Sequence, residues 1–465
     1  MKKLRSLQSL LLGIGRNEAP AVFAGFLMLF SLFSSYFMLR PVREAMGIAG
    51  GVDKLQWLFT GTFVVTLAAT PAIGWAISKI RRRHVCHWIL GFFALNLLAF
   101  GIAFAMAGDA PWLARSFFIW LSVFNLAAIS IAWSVLADIF LAEQARRLFA
   151  LMAAGASLGG LAGPLAGALL VTRIGNEGLL FLAAAILVVT IACSDYLQRW
   201  RDRFPFDLPP DMPRQEQNAP MMPRDSRNLR DSRDSRLGGN ALAGAADVLR
   251  SPFLLGIALF VVLLASVNTF LYLEQARLVA ERFASRTEQT RFFATIDAVV
   301  QLLSLLVQFF LTARIATSLG VRALLVGLPL AMIAGFLLLT VSPLFALFIM
   351  ILVVRRVGEY ALVRPGREML FTVLPPHIKY KAKNFIDTVV YRGADAVSAW
   401  LKTLADLMLA PQAVPLLGAC IAAAWAASAM SISRSYRRLD MPEASDVPRA
   451  ASVPESAQGK PQAPS

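Results

Sequence analysis

The chain has 465 residues, of which 57% are hydrophobic and 16% are charged, and its formal net charge is +16. A water-soluble protein carries about 25% charged residues, so this composition excludes an ordinary soluble enzyme or binding protein. Apolar runs of about 20 residues, the length that crosses a bilayer as a helix, recur along the chain. They are too continuous for the alternating strands of a membrane barrel. The sequence therefore predicts an all-α membrane protein.

The apolar runs predict twelve transmembrane helices in two groups of six. The first group covers residues 20–41, 55–78, 85–107, 115–140, 147–171 and 178–197. The second group covers residues 252–274, 291–315, 321–341, 344–364, 383–409 and 412–432. We therefore expect an N-terminal lobe at 1–197 and a C-terminal lobe at 251–439.

Two segments outside these groups are polar. Residues 198–250 are rich in Pro, Asp and Arg, and residues 440–465 are rich in Pro, Ala and Ser. Neither segment can bury enough apolar surface to fold alone. We expect the first to be a flexible cytoplasmic linker and the second to be a disordered tail.

Basic residues in the short loops predict the orientation in the membrane. With an inside N-terminus, most loop Lys and Arg residues fall on the cytoplasmic side, as the positive-inside rule requires. Both termini are then cytoplasmic. These loops also account for the net charge, so no nucleic-acid partner is predicted.

Signals for enzymes, metals and cofactors are missing from the sequence. No Gly-x-x-x-x-Gly-Lys-Ser/Thr loop is present, which argues against a chain that hydrolyses ATP. Cys86, Cys193 and Cys420 lie in or beside apolar runs without other metal ligands nearby in the sequence. We expect no enzyme activity, no cofactor and no metal.

Charged residues near the end of the first span form the first candidate site. Arg40 and Arg43 are three residues apart, and Arg40 and Glu44 are four apart, so on a helix the three share one face. Two guanidinium groups can bind phosphate oxygens with bidentate geometry. The alternative is that both arginines extend to the lipid headgroups.

The tenth span carries charges inside its apolar run. Arg355 and Arg356 precede Glu359 by four and three residues, so an internal ion pair would leave one arginine free for cargo. The span ends in Arg364-Pro-Gly-Arg367-Glu368, a second copy of the Arg-Pro-x-Arg-Glu string at residues 40–44. Chance recurrence and a shared role are both compatible with this repeat.

Single acidic residues stand on polar stripes of other spans. Asp138 lies in the fourth span, Asp297 in the eighth and Asp387 in the eleventh. Polar stripes on apolar helices usually face the interior of a bundle. The stripes either line a transport path, which we favour, or form hydrogen bonds between helices.

The layout of six spans, a linker and six spans resembles the major facilitator transporters. The segment from Gly74 to Arg83 is similar to the loop signature of that superfamily, with Ser78 where an aspartate is expected. Gly155, Gly159, Gly163 and Gly167 recur at four-residue spacing in the fifth span, which favours close helix packing.

A finer resemblance is to the ATP/ADP translocases and their bacterial relatives. It rests on Arg40-Pro-Val-Arg43-Glu44, Trp133 with Glu143-Gln-Ala-Arg-Arg-Leu-Phe149, Tyr272-Leu-Glu274, and Lys381-Ala-Lys383-Asn-Phe-Ile-Asp387. The resemblance implies that Arg43, Glu274, Lys383 and Asp387 bind or gate an exchanged nucleotide. Arg392 stands where that family has a lysine.

These observations predict a secondary transporter in the bacterial inner membrane. We expect a monomer that exchanges an anionic solute, with ATP and ADP as candidates. The arginines would hold the anion, and the carboxylates would pair with them in its absence. Two alternatives remain: proton-coupled efflux through Asp138, Asp297 or Glu274, and a membrane scaffold or sensor that does not transport.

Overall fold

The computed structural model of the chain describes residues 18–80, 82–108, 110–140, 142–203 and 244–440. Across these ranges the secondary structure is helical and contains no strand. The prediction of an all-α protein is therefore confirmed. Most of the predicted linker, residues 204–243, and the predicted tail from residue 441 onward lie outside the described residues.

The described residues of the first half form five α-helices and two short 3-10 helices, Val52–Lys54 and Arg82–His84. The α-helices are α1 (Ala19–Ala49), α2 (Leu55–Lys79), α3 (Val85–Ala107), α4 (Pro111–Ile139) and α5 (Ala142–Arg203). Gly175 has a φ of 72° and divides α5 into two helical arms, because this left-handed conformation interrupts the helix. The second arm continues to Arg203, six residues beyond the predicted end of the sixth span.

Between residues 244 and 440, the described part of the second half, there are ten α-helices and three π-helical segments. They are α6 (Ala245–Arg250), α7 (Pro252–Arg282), α8 (Arg286–Val307), α9 (Ala313–Ser318), α10 (Gly320–Val341), α11 (Phe345–Gly358), α12 (Arg364–Leu370), α13 (Pro376–Phe385), α14 (Tyr391–Met408) and α15 (Ala413–Asp440). The π-helical segments are Gln308–Thr312, Glu359–Val363 and Ile386–Val390, and each joins two helices without a loop.

Local sequence explains where two of these helices begin. Ser251 caps α7 by accepting a hydrogen bond from the backbone N–H of Leu254 at 3.4 Å, and Pro252 follows at the first helical position. Ser285 caps α8 in the same way, with the N–H of Glu288 at 3.2 Å. Serine caps and a proline at the first helical position satisfy or remove backbone donors that a helix start leaves free.

Nine helices of the described part of the chain are long and apolar enough to cross a membrane. One of them contains both arms of α5, which covers two predicted spans. The predicted tenth and eleventh spans correspond to α11–α12 and α13–α14, which π-helical segments and several charges interrupt. The number of twelve spans therefore stays a prediction.

The helices bury two large hydrophobic cores. One core draws its residues from positions 21–200, and the other from positions 248–432. We call the helices around them the N-terminal bundle (α1–α5) and the C-terminal bundle (α7–α15). A smaller cluster joins the bundles where α2 and α4 begin and α7 ends, and it includes Leu55, Phe118 and Leu273.

Close packing of α1 against α5 depends on the glycine stripe. A Cβ atom at Gly155, Gly159 or Gly163 would collide with backbone atoms of α1, including the carbonyl oxygens of Phe26 and Phe30. Only glycine allows two helix backbones to approach this closely. The predicted packing role is therefore confirmed for these three glycines but not for Gly167, where an added Cβ would have its nearest neighbours at 3.7 Å.

Candidate functional site: an arginine-rich cavity between the bundles

A cavity of about 860 Å³ lies between the two bundles. We call it the central cavity. Its walls come from α1, α2, α4 and α5 on one side and from α7, α8, α11, α12, α14 and the three π-helical segments on the other. The charged side chains that line it are Arg40, Arg43, Glu44, Arg355, Glu359, Arg364, Arg367, Glu368, Asp387, Arg392 and Asp395. Arginine is therefore the only basic residue type among them, and it slightly outnumbers the carboxylates.

Helix α1 supplies the first three of these charges, as their spacing predicted. The Arg43 Nη2 atom lies 2.6 Å from Glu44 Oε1, and its guanidinium stands 4.9 Å from the centre of the Phe118 ring. A longer contact of 3.5 Å joins Arg43 Nη1 to Ser122 Oγ. The Nε atom of Arg43 and the Oε2 atom of Glu44 are buried without a protein hydrogen-bond partner.

A buried ion pair lies behind the cavity wall. Asp297 Oδ1 is 2.5 Å from Arg356 Nη2, and both side chains are almost fully buried. Asp297 Oδ2 is 3.8 Å from Arg40 Nε. Arg355 pairs internally with Glu359 at 2.9 Å, as the four-residue spacing predicted. The second arginine, however, is not free for cargo, because Asp297 on the neighbouring helix holds it.

Two π-helical segments fix the geometry at Glu359. A π-helix departs from the regular i→i−4 pattern and is often found at functional sites. The side chain of Gln308 donates to the Tyr360 carbonyl at 3.1 Å, and the hydroxyl of Thr312 donates to the Ala361 carbonyl at 2.8 Å. Side chains of one π-helical segment therefore satisfy backbone oxygens of the other.

Tyr360 brings together arginines from both bundles. Arg40 Nη1 donates to the Tyr360 hydroxyl at 3.1 Å, and the Arg364 guanidinium lies 4.4 Å from the centre of the same ring. Arg364 is 57% exposed, and its nearest carboxylate oxygen, on Glu359, is 3.7 Å away. Both arginines therefore face the cavity with only long contacts to carboxylates.

The wall formed by α12, the π-helical segment Ile386–Val390 and α14 contains one tight pair and one loose pair. Arg367 Nη2 is 3.0 Å from Asp387 Oδ1. Arg392 Nη1 is 3.8 Å from Asp395 Oδ2, and Thr269 donates to the other oxygen of Asp395 at 3.1 Å. Arg392 resembles Arg40 and Arg364 in this respect, since its carboxylate partner is distant.

Five of the predicted site residues do not line the central cavity. Asp297 and Arg356 form the ion pair behind its wall. Lys383 pairs with Glu368 at 2.6 Å but is not itself part of the wall. Asp138 is exposed on α4, and Glu274 lines a separate cavity of the C-terminal bundle.

Sequence reasoning left several lining residues out of the predicted site. They include Arg364, Arg367, Tyr360 and Asp395. The repeated Arg-Pro-x-Arg-Glu string was the available signal for the first two, because both copies line the same cavity. No sequence pattern distinguished Tyr360 or Asp395 from other polar residues of the spans.

One end of the central cavity is closed by contacts between the bundles. The cluster around Leu55, Phe118 and Leu273 lies at the end where α1 finishes. Nearby, Trp400 Nε1 donates to Thr60 Oγ1 at 3.1 Å, and the Trp57 and Trp400 rings meet edge to face at 4.9 Å. The lining reaches the opposite end of the helices at Arg367, Glu368 and Asp387.

Two helical bundles around a charged central cavity agree with the family comparison. The family model described as Major Facilitator Superfamily matches residues 21–378. The chain belongs to this superfamily. It is therefore a multi-pass membrane transporter and not an enzyme. Among curated proteins, no sequence matches this member of the superfamily.

Solved structures of other transporters share the fold. A bacterial homologue of the iron transporter ferroportin, in an inward-facing state, is 13% identical with a TM-score of 0.61 and covers 90% of this chain and 98% of its own. A bacterial homologue of the lysosomal transporter Spinster, inward-facing and unoccupied, is 13% identical with a TM-score of 0.55 and covers 92% and 100%. The nucleoside transporter NupG is 12% identical with a TM-score of 0.55 and the same coverage. At these identities the likeness concerns the fold alone.

Proposed function

We propose that this superfamily member is a secondary transporter of a phosphorylated or otherwise multiply anionic solute, such as a nucleotide. One observation carries the proposal. Guanidinium groups from opposite bundles, Arg40 and Arg364, meet at Tyr360 inside the central cavity. Cargo that contacts both would bind the two bundles at once, which is what transport by alternating access requires.

The distances separate structural arginines from arginines that can bind cargo. Arg355, Arg356 and Arg367 have a carboxylate oxygen within 3.0 Å. Arg40, Arg364 and Arg392 have theirs at 3.7–3.8 Å. A cation in a bilayer needs a partner, and long contacts leave guanidinium N–H groups able to bind phosphate oxygens in bidentate fashion. We assign these three arginines to the anion.

Arg43 and the cavity carboxylates complete the proposed cycle. Arg43 lines the central cavity and has one close carboxylate, Glu44, so it can exchange that contact for one with cargo. Glu44, Glu359 and Asp395 neutralise the arginines when cargo is absent. Exchange of internal ion pairs for cargo contacts then allows the arginines to stay in the membrane through the whole cycle.

The proposal also covers orientation and coupling. Both termini would be cytoplasmic in a bacterial inner membrane, so the closed end of the cavity would face outward. We propose exchange of one anion for another by a monomer. Proton-coupled efflux has weaker support, because Asp138 is outside the cavity and Asp297 already holds Arg356.

Thermal unfolding of the purified protein tests the charge of the cargo. ATP, ADP, glucose 6-phosphate, inorganic phosphate and citrate are compared with adenosine, which has no charge. A ligand that binds the folded state raises the unfolding temperature. We expect a saturable increase with at least one phosphorylated compound and none with adenosine.

Transport assays in proteoliposomes test the same site directly. Labelled anion should enter vesicles preloaded with unlabelled anion, and Arg364→Gln should abolish this exchange. Arg322→Gln is the matched control, because it removes an exposed arginine of α10 outside the central cavity. Flux that follows a pH gradient and ignores internal anion would support proton-coupled efflux instead. Absence of any flux in vesicles that contain the folded protein would support the scaffold alternative.

A further inference from the structure

A second cavity, of about 330 Å³, lies within the C-terminal bundle and does not share its charged residues with the central cavity. We call it the lateral cavity. Most of its wall is apolar and comes from α7, α10, α11 and the start of α15, with Phe270, Leu339 and Phe348 among the buried residues. A volume of this size is at the lower end of the range for small-molecule sites, which is roughly 300–1,000 Å³.

Charged residues occupy one side of the lateral cavity. Lys402 of α14 is almost fully buried and lies 2.5 and 2.6 Å from the two carboxylate oxygens of Asp406. Glu274 Oε2 is farther from the same ammonium group, at 3.2 Å. Arg277 also lines the cavity, and its Nε donates to Glu281 at 3.0 Å on the exposed side of α7.

These five groups carry a net charge of −1, because two cations, Lys402 and Arg277, stand against three carboxylates. Lys402 pairs with Glu274 but lies closer to Asp406, and Arg277 pairs with Glu281. Glu274 is the fifth charge of the group, and its side chain remains 31% exposed. Its other oxygen, Oε1, has no hydrogen bond among the described residues. Lys402 and Arg277 each have a carboxylate oxygen within 3.0 Å, whereas Glu274 has only its contact of 3.2 Å with Lys402 and can also contact an incoming cation.

We propose that the lateral cavity binds a small organic monoamine. Its ammonium group would contact Glu274, and its hydrocarbon or aromatic body would fill the apolar part of the wall. A single ammonium charge matches the net charge of −1 of this group, and burial of the body removes apolar surface from water. An engineered apolar cavity of about 150 Å³ can hold benzene, so this volume has room for an aryl-alkyl amine. The site is separate from the proposed anion site.

Three probes of the same shape test the proposal. The protein is reconstituted in nanodiscs and titrated with 2-phenylethylamine, 2-phenylethanol and 3-phenylpropionate, and binding is measured by calorimetry and by thermal shift. We expect saturable binding of the amine at least about tenfold tighter than that of the alcohol, and no binding of the acid. Equal binding of all three would show simple partition into an apolar space and would overturn the proposal.

Variants connect the binding to the cavity. Glu274→Gln should weaken the amine at least about tenfold, whereas Glu281→Gln, on the same helix but outside the wall, should leave its affinity unchanged. Thr340→Trp fills the cavity without removing a charge and should abolish binding even if Glu274→Gln proves unstable. Amine binding that survives Thr340→Trp would exclude the lateral cavity. An anion response that persists in Thr340→Trp would show that the two sites are independent.

Discussion

Replacement of Asp297 by asparagine should strongly destabilise the folded protein. The substitution keeps the size of the side chain but removes the charge that lies 2.5 Å from Arg356. The side chains of Asp297 and Arg356 are 5% and 7% exposed, so water cannot solvate the arginine that remains. Removal of one partner from a buried ion pair costs about 3–5 kcal/mol, and we expect a loss of that size in the free energy of unfolding.

The measurement is reversible unfolding in mixed micelles, followed by tryptophan fluorescence. The double variant Asp297→Asn/Arg356→Gln should recover most of the lost stability, because it leaves no unpaired charge at the buried position. Arg40, the other neighbour of Asp297, is 20% exposed and can be solvated from the cavity. Stability of Asp297→Asn equal to that of the unmodified protein would refute the assignment of this pair as a structural element behind the cavity wall.

Three further predictions concern the cavity wall and the packing of α1. Arg364→Gln should abolish anion-induced thermal stabilisation yet change the free energy of unfolding by less than about 1 kcal/mol, because the arginine is 57% exposed and its ion pair with Glu359 is long. Thr312→Val removes the donor to the Ala361 carbonyl and should weaken anion affinity, whereas Thr312→Ser keeps the donor and should retain the affinity. Thr317→Val is the control and should have no effect, because Thr317 is exposed and hydrogen-bonds only within its own helix. Gly159→Ala should destabilise the protein by about 1–3 kcal/mol in the same unfolding assay, whereas Gly91→Ala, with no atom near the added Cβ, should not.

The sequence by itself determined the class of the protein. Only helices and closed barrels satisfy all backbone hydrogen bonds in lipid, and the long continuous apolar runs lack the alternation of barrel strands, so they require helices. The glycine spacing of α5 also predicted close packing against another helix, and the four-residue spacing of Arg355 and Glu359 predicted their ion pair. Each of these inferences concerns residues within one helix, where spacing along the chain fixes spacing in space.

Only the tertiary structure decided which charges share a cavity. Asp297 and Arg356 are far apart in sequence, so their pairing depends on how α8 packs against α11. The same packing places Arg40 beside Tyr360 and separates Glu274 from the central cavity. Spacing along the sequence shows which residues share a face of a helix. It does not show which helix packs against that face, because this depends on the arrangement of all the other helices.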